Sequence, residues 1–199
     1  MTLIKSISGI RGTIGGKVGD NLTPIDAVKF AAAYGTWLKN NNPNISKLKV
    51  VVGRDARISG PMIHNLVIQT LVGLGIDIVD LGLSTTPTVE VAVPLENANG
   101  GIILTASHNP KQWNALKLLN EKGEFLNGIE GEKILVIAES DAFDFSDVDS
   151  LGEITENDAY MDIHIDEVLN LPLVDVEAVK AAKFKVVVDG VNSSGGIII

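Results

Sequence analysis

The chain has 199 residues, 45% of them hydrophobic, enough to build a buried core, so global disorder is not expected. A net charge of −9 argues against nucleic acid and anionic membrane as partners, although a local cluster of Arg and Lys can still hold a phosphorylated small molecule. Cysteine is absent, which excludes disulfides, thiolate metal sites and a cysteine nucleophile and fits a reducing compartment.

The first residues lack the apolar stretch of a signal peptide. No apolar run approaches the roughly 18 residues needed to span a bilayer, so a soluble cytoplasmic protein is expected. Near the start, Gly9, Gly12, Gly15 and Gly16 bracket Ile10 and Arg11, which suggests a tight loop or hairpin. Arg11 is either a solvated surface residue or a phosphate contact. Thr23-Pro24 reads as a cap and first helical position, with Asp26 in the first turn and a helix running to Asn40. A strand over residues 48–53 leads through a loop to Ser59, a plausible cap for a helix over 61–74. A strand over 75–82 and a helix from Thr85-Thr86-Pro87 to about Leu95 follow. Gly100 and Gly101 break the preceding element, and Ile102-Ile103-Leu104 reads as a buried strand. This alternation implies right-handed crossovers and a predominantly parallel, covered sheet.

Beyond Pro110 a strand is expected over 114–119 and a helix over 128–139. Acidic residues then dominate, and 141–158 reads as a linker. Helical spacing returns over 157–169 and 174–182. Residues 184–190 read as a strong strand with a turn after it. Left unpaired, that strand would be a poorly protected edge, so the sequence is read as a piece of a longer protein.

Ser107 stands at the end of the 102–104 strand, where open α/β sheets place their chemistry. An ordinary turn built from Ser107, Asn109 and Pro110 is the alternative. No Gly-x-Ser-x-Gly elbow surrounds the serine and no Walker-type loop is present. The three histidines have no metal-ligand spacing, and His64 and His164 read as ordinary helix positions. The positive signal is the combination of Ser107 with His108 beside it, Lys117 across a turn, and Arg11 in the glycine-rich loop. A serine flanked by cationic donors can carry a phosphoryl ester, and a lysine of lowered pKa can move the proton of a substrate hydroxyl.

Thr105-Ala106-Ser107-His108-Asn109-Pro110, with Asn114 and Lys117 downstream, resembles the phosphoserine signature of the α-D-phosphohexomutases. Ser8-Gly9-Ile10-Arg11-Gly12 is similar to that superfamily's Arg loop, and Gly53-Arg54-Asp55-Ala56-Arg57 to its Gly-x-Asp-x-Arg segment. Val187-Val188-Asp189-Gly190 with Gly195-Gly196 resembles the start of its second domain. The resemblance implies an α/β fold: a predominantly parallel mixed sheet sandwiched by helices, in a phosphoserine-bearing domain over 1–140. The start of a similar domain would occupy 159–199. It also implies a mutase that moves phosphate between O6 and O1 of a hexose phosphate, glucosamine phosphate being one candidate, through phosphorylated Ser107 and a hexose bisphosphate. Lys117 would be the general acid or base, His108 would support the phosphoryl site, and Arg11 and Asn109 would bind phosphate. Mg²⁺ would bind a phosphate oxygen on Ser107. Ala115 stands where the family usually has glycine, and the family's metal-binding aspartate loop has no counterpart in these residues, so this piece alone is expected to be inactive. A truncated non-catalytic domain and a serine hydrolase using Ser107 and His108 are the alternatives.

Overall fold

The chain opens with an antiparallel pair, β1 (Ile4–Ser6) and β2 (Gly9–Thr13). The structure is a computed structural model that describes residues 1–6 and 9–199, so Ile7 and Ser8 of the glycine–arginine loop lie outside the described residues. Helix α1 (Pro24–Asn41) starts where expected: Thr23 Oγ1 accepts from the Asp26 N–H while the Asp26 carboxylate accepts from the Thr23 N–H. Then come β3 (Lys49–Arg54), α2 (Gly60–Gly73), β4 (Asp77–Leu83), α3 (Thr86–Leu95), β5 (Gly100–Leu104), β6 (Trp113–Leu119) and α4 (Gly128–Ser140). A 3₁₀ turn, β7 (Ile154–Glu156), α5 (Tyr160–Leu169), α6 (Val176–Ala182) and the short α7 (Gly195–Ile198) complete the order.

Among the described residues the strands form one sheet in the order β1-β2-β6-β5-β3-β4-β7. The sheet is mixed. Strands β5, β3, β4 and β7 run parallel, the first three joined by helical crossovers, whereas β6, β2 and β1 extend it antiparallel. Side chains alternate between two cores, as the pleat requires. Val50, Val52, Ile102, Leu104, Leu116 and Ile10 face the core covered by α1, α2 and α4. Val51, Ile103 and Leu119 face a smaller core with Val89, Ala92 and Val93 of α3 and Tyr160 of α5.

Three local expectations are corrected. Gly100 and Gly101 do not break an element; they lie inside β5. A Cβ on Gly100 would stand 2.1 Å from Tyr34 Oη, whose hydroxyl donates to the Leu119 carbonyl at 2.7 Å, so glycine there makes room for a buried ring. Ser59 precedes α2 but its side chain makes no capping bond; its Oγ accepts from Asn114 Nδ2 at 2.9 Å instead. Within the acidic stretch 141–158, β7 pairs in parallel with β4, a backbone bond pattern that charge does not reveal. Residues 184–190 form no strand. A strand needs a neighbour to pair with, and this segment is exposed, Val187 at 90%. Among the described residues no helix is long and apolar enough to cross a membrane.

His64 and His164 each hold two elements together. His64 Nε2 lies 2.9 Å from Asp80 Oδ1, joining α2 to β4, and His164 Nδ1 lies 3.0 Å from Thr88 Oγ1, joining α5 to α3. Burial pushes the Asp80 carboxyl up, but the His64 bond, the Gly82 N–H and the Arg54 charge outweigh it and hold the group below the ordinary aspartate value. A depressed folded-state value means that this stability is present above the ordinary aspartate range and is lost as pH falls through the lowered value. In urea unfolding, Asp80→Asn is therefore expected to cost about 1–3 kcal/mol at neutral pH. The gap to the unmutated chain should close in acid; a gap independent of pH would contradict this role.

Candidate active site

The register of the antiparallel half explains how residues a hundred positions apart meet. Arg11 on β2 pairs with Ala115 on β6, and Lys117, two residues on, pairs with Ile103 on β5. Opposed residues share a face and alternate residues repeat it. Arg11, Ala115 and Lys117 thus lie on the same face of the sheet as Ile103, that of the smaller core. The β5–β6 connection, residues 105–112, rises at one end of this row and carries Ser107.

A cleft of about 280 Å³ results, lined by Arg11, Ser107, His108, Asn109, Lys117 and Phe125, among others. All five residues singled out from the sequence line it. Ser107 and His108 are exposed, and no hydrogen bond to the Ser107 hydroxyl forms among the described residues, which leaves that oxygen open to a ligand. The Asn109 side-chain amide donates to the Ala106 carbonyl at 2.9 Å, so it shapes the loop.

Lys117 is half-buried, and burial pushes its ammonium below the ordinary lysine value. The Glu90 and Asp55 carboxylates oppose that shift and the Arg11 charge adds to it. Its Nζ sits 5.8 Å from the Phe125 ring centroid, a cation–π contact. Ser107 itself has φ +51°, a left-handed conformation that costs a non-glycine residue roughly 1–2 kcal/mol. A further glycine is demanded nearby: Gly9 has φ +120°, and a Cβ there would stand 2.1 Å from the Leu116 carbonyl oxygen.

Sequence reasoning missed the groups that hold this arrangement. Arg57 donates from Nη2 to the carbonyls of Ser107 (2.7 Å) and Asn109 (2.8 Å), and from Nη1 to those of Pro110 (2.9 Å) and Trp113 (3.1 Å). Asp55 accepts from Arg57 Nε at 3.1 Å and from Thr105 Oγ1 at 2.7 Å. The Gly-x-Asp-x-Arg segment was legible as a motif, but backbone carbonyls as its partners leave no trace in residue identity. Phe125 and Glu90 carried no signal either, since each is ordinary in its own element. Among the described residues no group of three or more His, Asp or Glu side chains could hold a metal ion, so these residues do not by themselves fit a Mg²⁺ site.

The arrangement offers a free hydroxyl, two cationic side chains and an imidazole in one cleft, a setting suited to holding a phosphoryl group and moving a proton. Comparison with known proteins identifies the family. The sequence pattern described as phosphoglucomutase/phosphomannomutase, alpha/beta/alpha domain I, matches residues 3–144. The chain is 36% identical over 191 residues to a phosphoglucomutase/phosphomannomutase of Thermococcus kodakarensis, covering 94% of this chain and 40% of that protein. It is 30% identical over 190 residues to a phosphoglucosamine/phosphogalactosamine mutase of Sulfurisphaera tokodaii, covering 95% and 39%. A crystal structure of a phosphoglucomutase/phosphomannomutase family protein from Burkholderia thailandensis shares the fold, with a TM-score of 0.69 at 24% identity, over 84% of this chain and 35% of that one. The chain therefore spans about two fifths of the length of these curated relatives. With the Ser107 loop, Arg11 and Lys117 set on the sheet of that domain, the chain belongs to the phosphoglucomutase/phosphomannomutase family.

Proposed function

We propose that this chain is the phosphoserine-bearing part of a phosphohexomutase that acts on a hexose phosphate through a hexose bisphosphate, in the cytoplasm. The observation that carries the reading is that Ser107, whose hydroxyl makes no hydrogen bond among the described residues, lines one cleft with Arg11, His108 and Lys117. Residues 1–140 are taken as the catalytic serine's domain, and 159–199 as leading into a second one.

In the forward step a hydroxyl of the hexose phosphate attacks phosphorus on Ser107. The bond from phosphorus to Ser107 Oγ breaks as the bond to the sugar oxygen forms. Lys117 takes the proton of the attacking hydroxyl and delivers it to Ser107 Oγ. Burial favours the neutral amine that such a transfer needs first. Arg11 offers a planar fork of donors to phosphate oxygens, and His108 supports the same group. The bisphosphate then reorients and the reverse step returns its other phosphate to Ser107. Mg²⁺ would find a phosphate oxygen on Ser107 as the ligand this chain offers; bound, it would neutralise charge on the transferring group. The steps above run through this chain's residues alone.

Incubation with a hexose bisphosphate labelled in phosphate tests this. Label is expected on the protein as an acid-stable ester that maps to Ser107. Acid-labile label would place the phosphate on His108 instead, and an acyl adduct with a serine-directed probe in the absence of any phosphate label would favour the hydrolase reading.

A further inference from the structure

The guanidinium of Arg57 has five N–H donors, and each has a partner. Nε donates to Asp55, Nη1 to the carbonyls of Pro110 and Trp113, and Nη2 to those of Ser107 and Asn109. Both side chains of the Arg57–Asp55 pair are largely covered, at 12% and 15% exposure, so these are charge-assisted bonds with little water in competition. The same Asp55 carboxylate accepts from Thr105 Oγ1, and Thr105 Oγ1 accepts from the Ser107 N–H at 3.2 Å. The Ser107 peptide is therefore gripped at both ends by one unit: its N–H through Thr105 and its C=O directly by Arg57. Only its side chain is left free, on a backbone held at φ +51°.

We propose that Arg57, oriented by Asp55, is a positioning residue that fixes the left-handed conformation of Ser107 and so aims its hydroxyl into the cleft beside Arg11 and Lys117. The functional half of this proposal rests on the phosphoserine reading. Its geometric half does not. Lysine cannot replace Arg57, because three donors on one nitrogen cannot span four carbonyls and a carboxylate. Fixing the attacking or leaving oxygen matters most to the transfer step itself, since small displacements of a reacting atom are costly. Binding of the donor, governed by Arg11, should be little changed.

Two measurements on the chain extended to the length of its relatives, unmutated and as Arg57→Lys and Asp55→Asn, test it. In amide hydrogen exchange, residues 105–113 are expected to exchange about tenfold faster in both variants, the order expected when charged hydrogen bonds are lost. The amides of α1 and β3 should keep their rates. In uptake of phosphate from a hexose bisphosphate, the rate at saturating donor should fall about tenfold or more while the half-saturating concentration holds. Loop exchange within twofold of the unmutated chain in Arg57→Lys would overturn the proposal. So would equal acceleration in α1 and β3, which would make Arg57 a general stabiliser. A raised half-saturating concentration at unchanged rate would also overturn it, by making Arg57 a binding group. If the unmutated chain takes up no phosphate, the phosphoserine reading fails, and hydrogen exchange alone still decides whether Arg57 sets the loop.

Discussion

Lys117→Met, in a chain extended to the length of its relatives, is expected to slow phosphoryl transfer by about 10²–10⁴-fold, the usual share of a general acid–base group. The fold should survive, because Lys117 lies at the open edge of the smaller core and a methionine stem fills the same path beside Phe125. Lys117→Arg should fail almost as badly. It keeps the positive charge but cannot offer a neutral amine. That contrast separates proton transfer from simple charge neutralisation, in which arginine would rescue. The same chemistry predicts a rising limb in the pH profile as Lys117 loses its proton, at a pH below that of an ordinary lysine because half-burial lowers its value. The limb should vanish in Lys117→Met. A limb that persists in that variant would assign the proton to another group.

Gly9→Ala is expected to be the most damaging small substitution near the cleft. The alanine Cβ would sit 2.1 Å from a backbone oxygen, that of Leu116, at a φ of +120°, and a backbone oxygen cannot swing aside as a flexible side chain can. Strand β2 must then move off β6. Strain of this kind costs of order 1–3 kcal/mol, a large fraction of the 5–15 kcal/mol that holds a typical domain. Arg11, two residues on, is displaced with the strand. The variant should therefore melt several degrees lower and also bind hexose bisphosphate as poorly as Arg11→Ala, whereas Arg11→Ala should keep the unmutated melting temperature. Thermal unfolding and calorimetric titration of the two variants check this together. Normal binding by Gly9→Ala would mean that the β2–β6 register does not place Arg11.

The parts of this molecule that were legible in the sequence are those encoded locally. Thr23-Pro24 with Asp26 announced a helix because a capping side chain, a proline and an acid each act within one turn. Ile102-Ile103-Leu104 announced a covered strand because both its faces are apolar, and it packs into both cores. Ser107, Lys117 and Arg11 were legible as a set through a motif, and the register of three strands is what gathers them. What was not legible depends on partners distant in sequence. Gly100 reads as a breaker until Tyr34 is seen occupying the place of its side chain. Strand β7 hides in an acidic stretch because its contribution is backbone pairing to β4. Arg57 reads as one member of a Gly-x-Asp-x-Arg segment, without a partner, until the carbonyls of the Ser107 loop, fifty residues away, close around it. Residues 184–190 show the converse: β-branched residues supply propensity, but without a neighbouring strand propensity forms no sheet.

The central claim is that Ser107 carries the phosphoryl group, and intact mass spectrometry of the chain with its Ser107→Ala counterpart tests it most directly. Protein purified from cells, or incubated with a hexose bisphosphate, should show a species heavier by one phosphoryl group that Ser107→Ala lacks. Absence of that species under both conditions, or its persistence in Ser107→Ala, would contradict it.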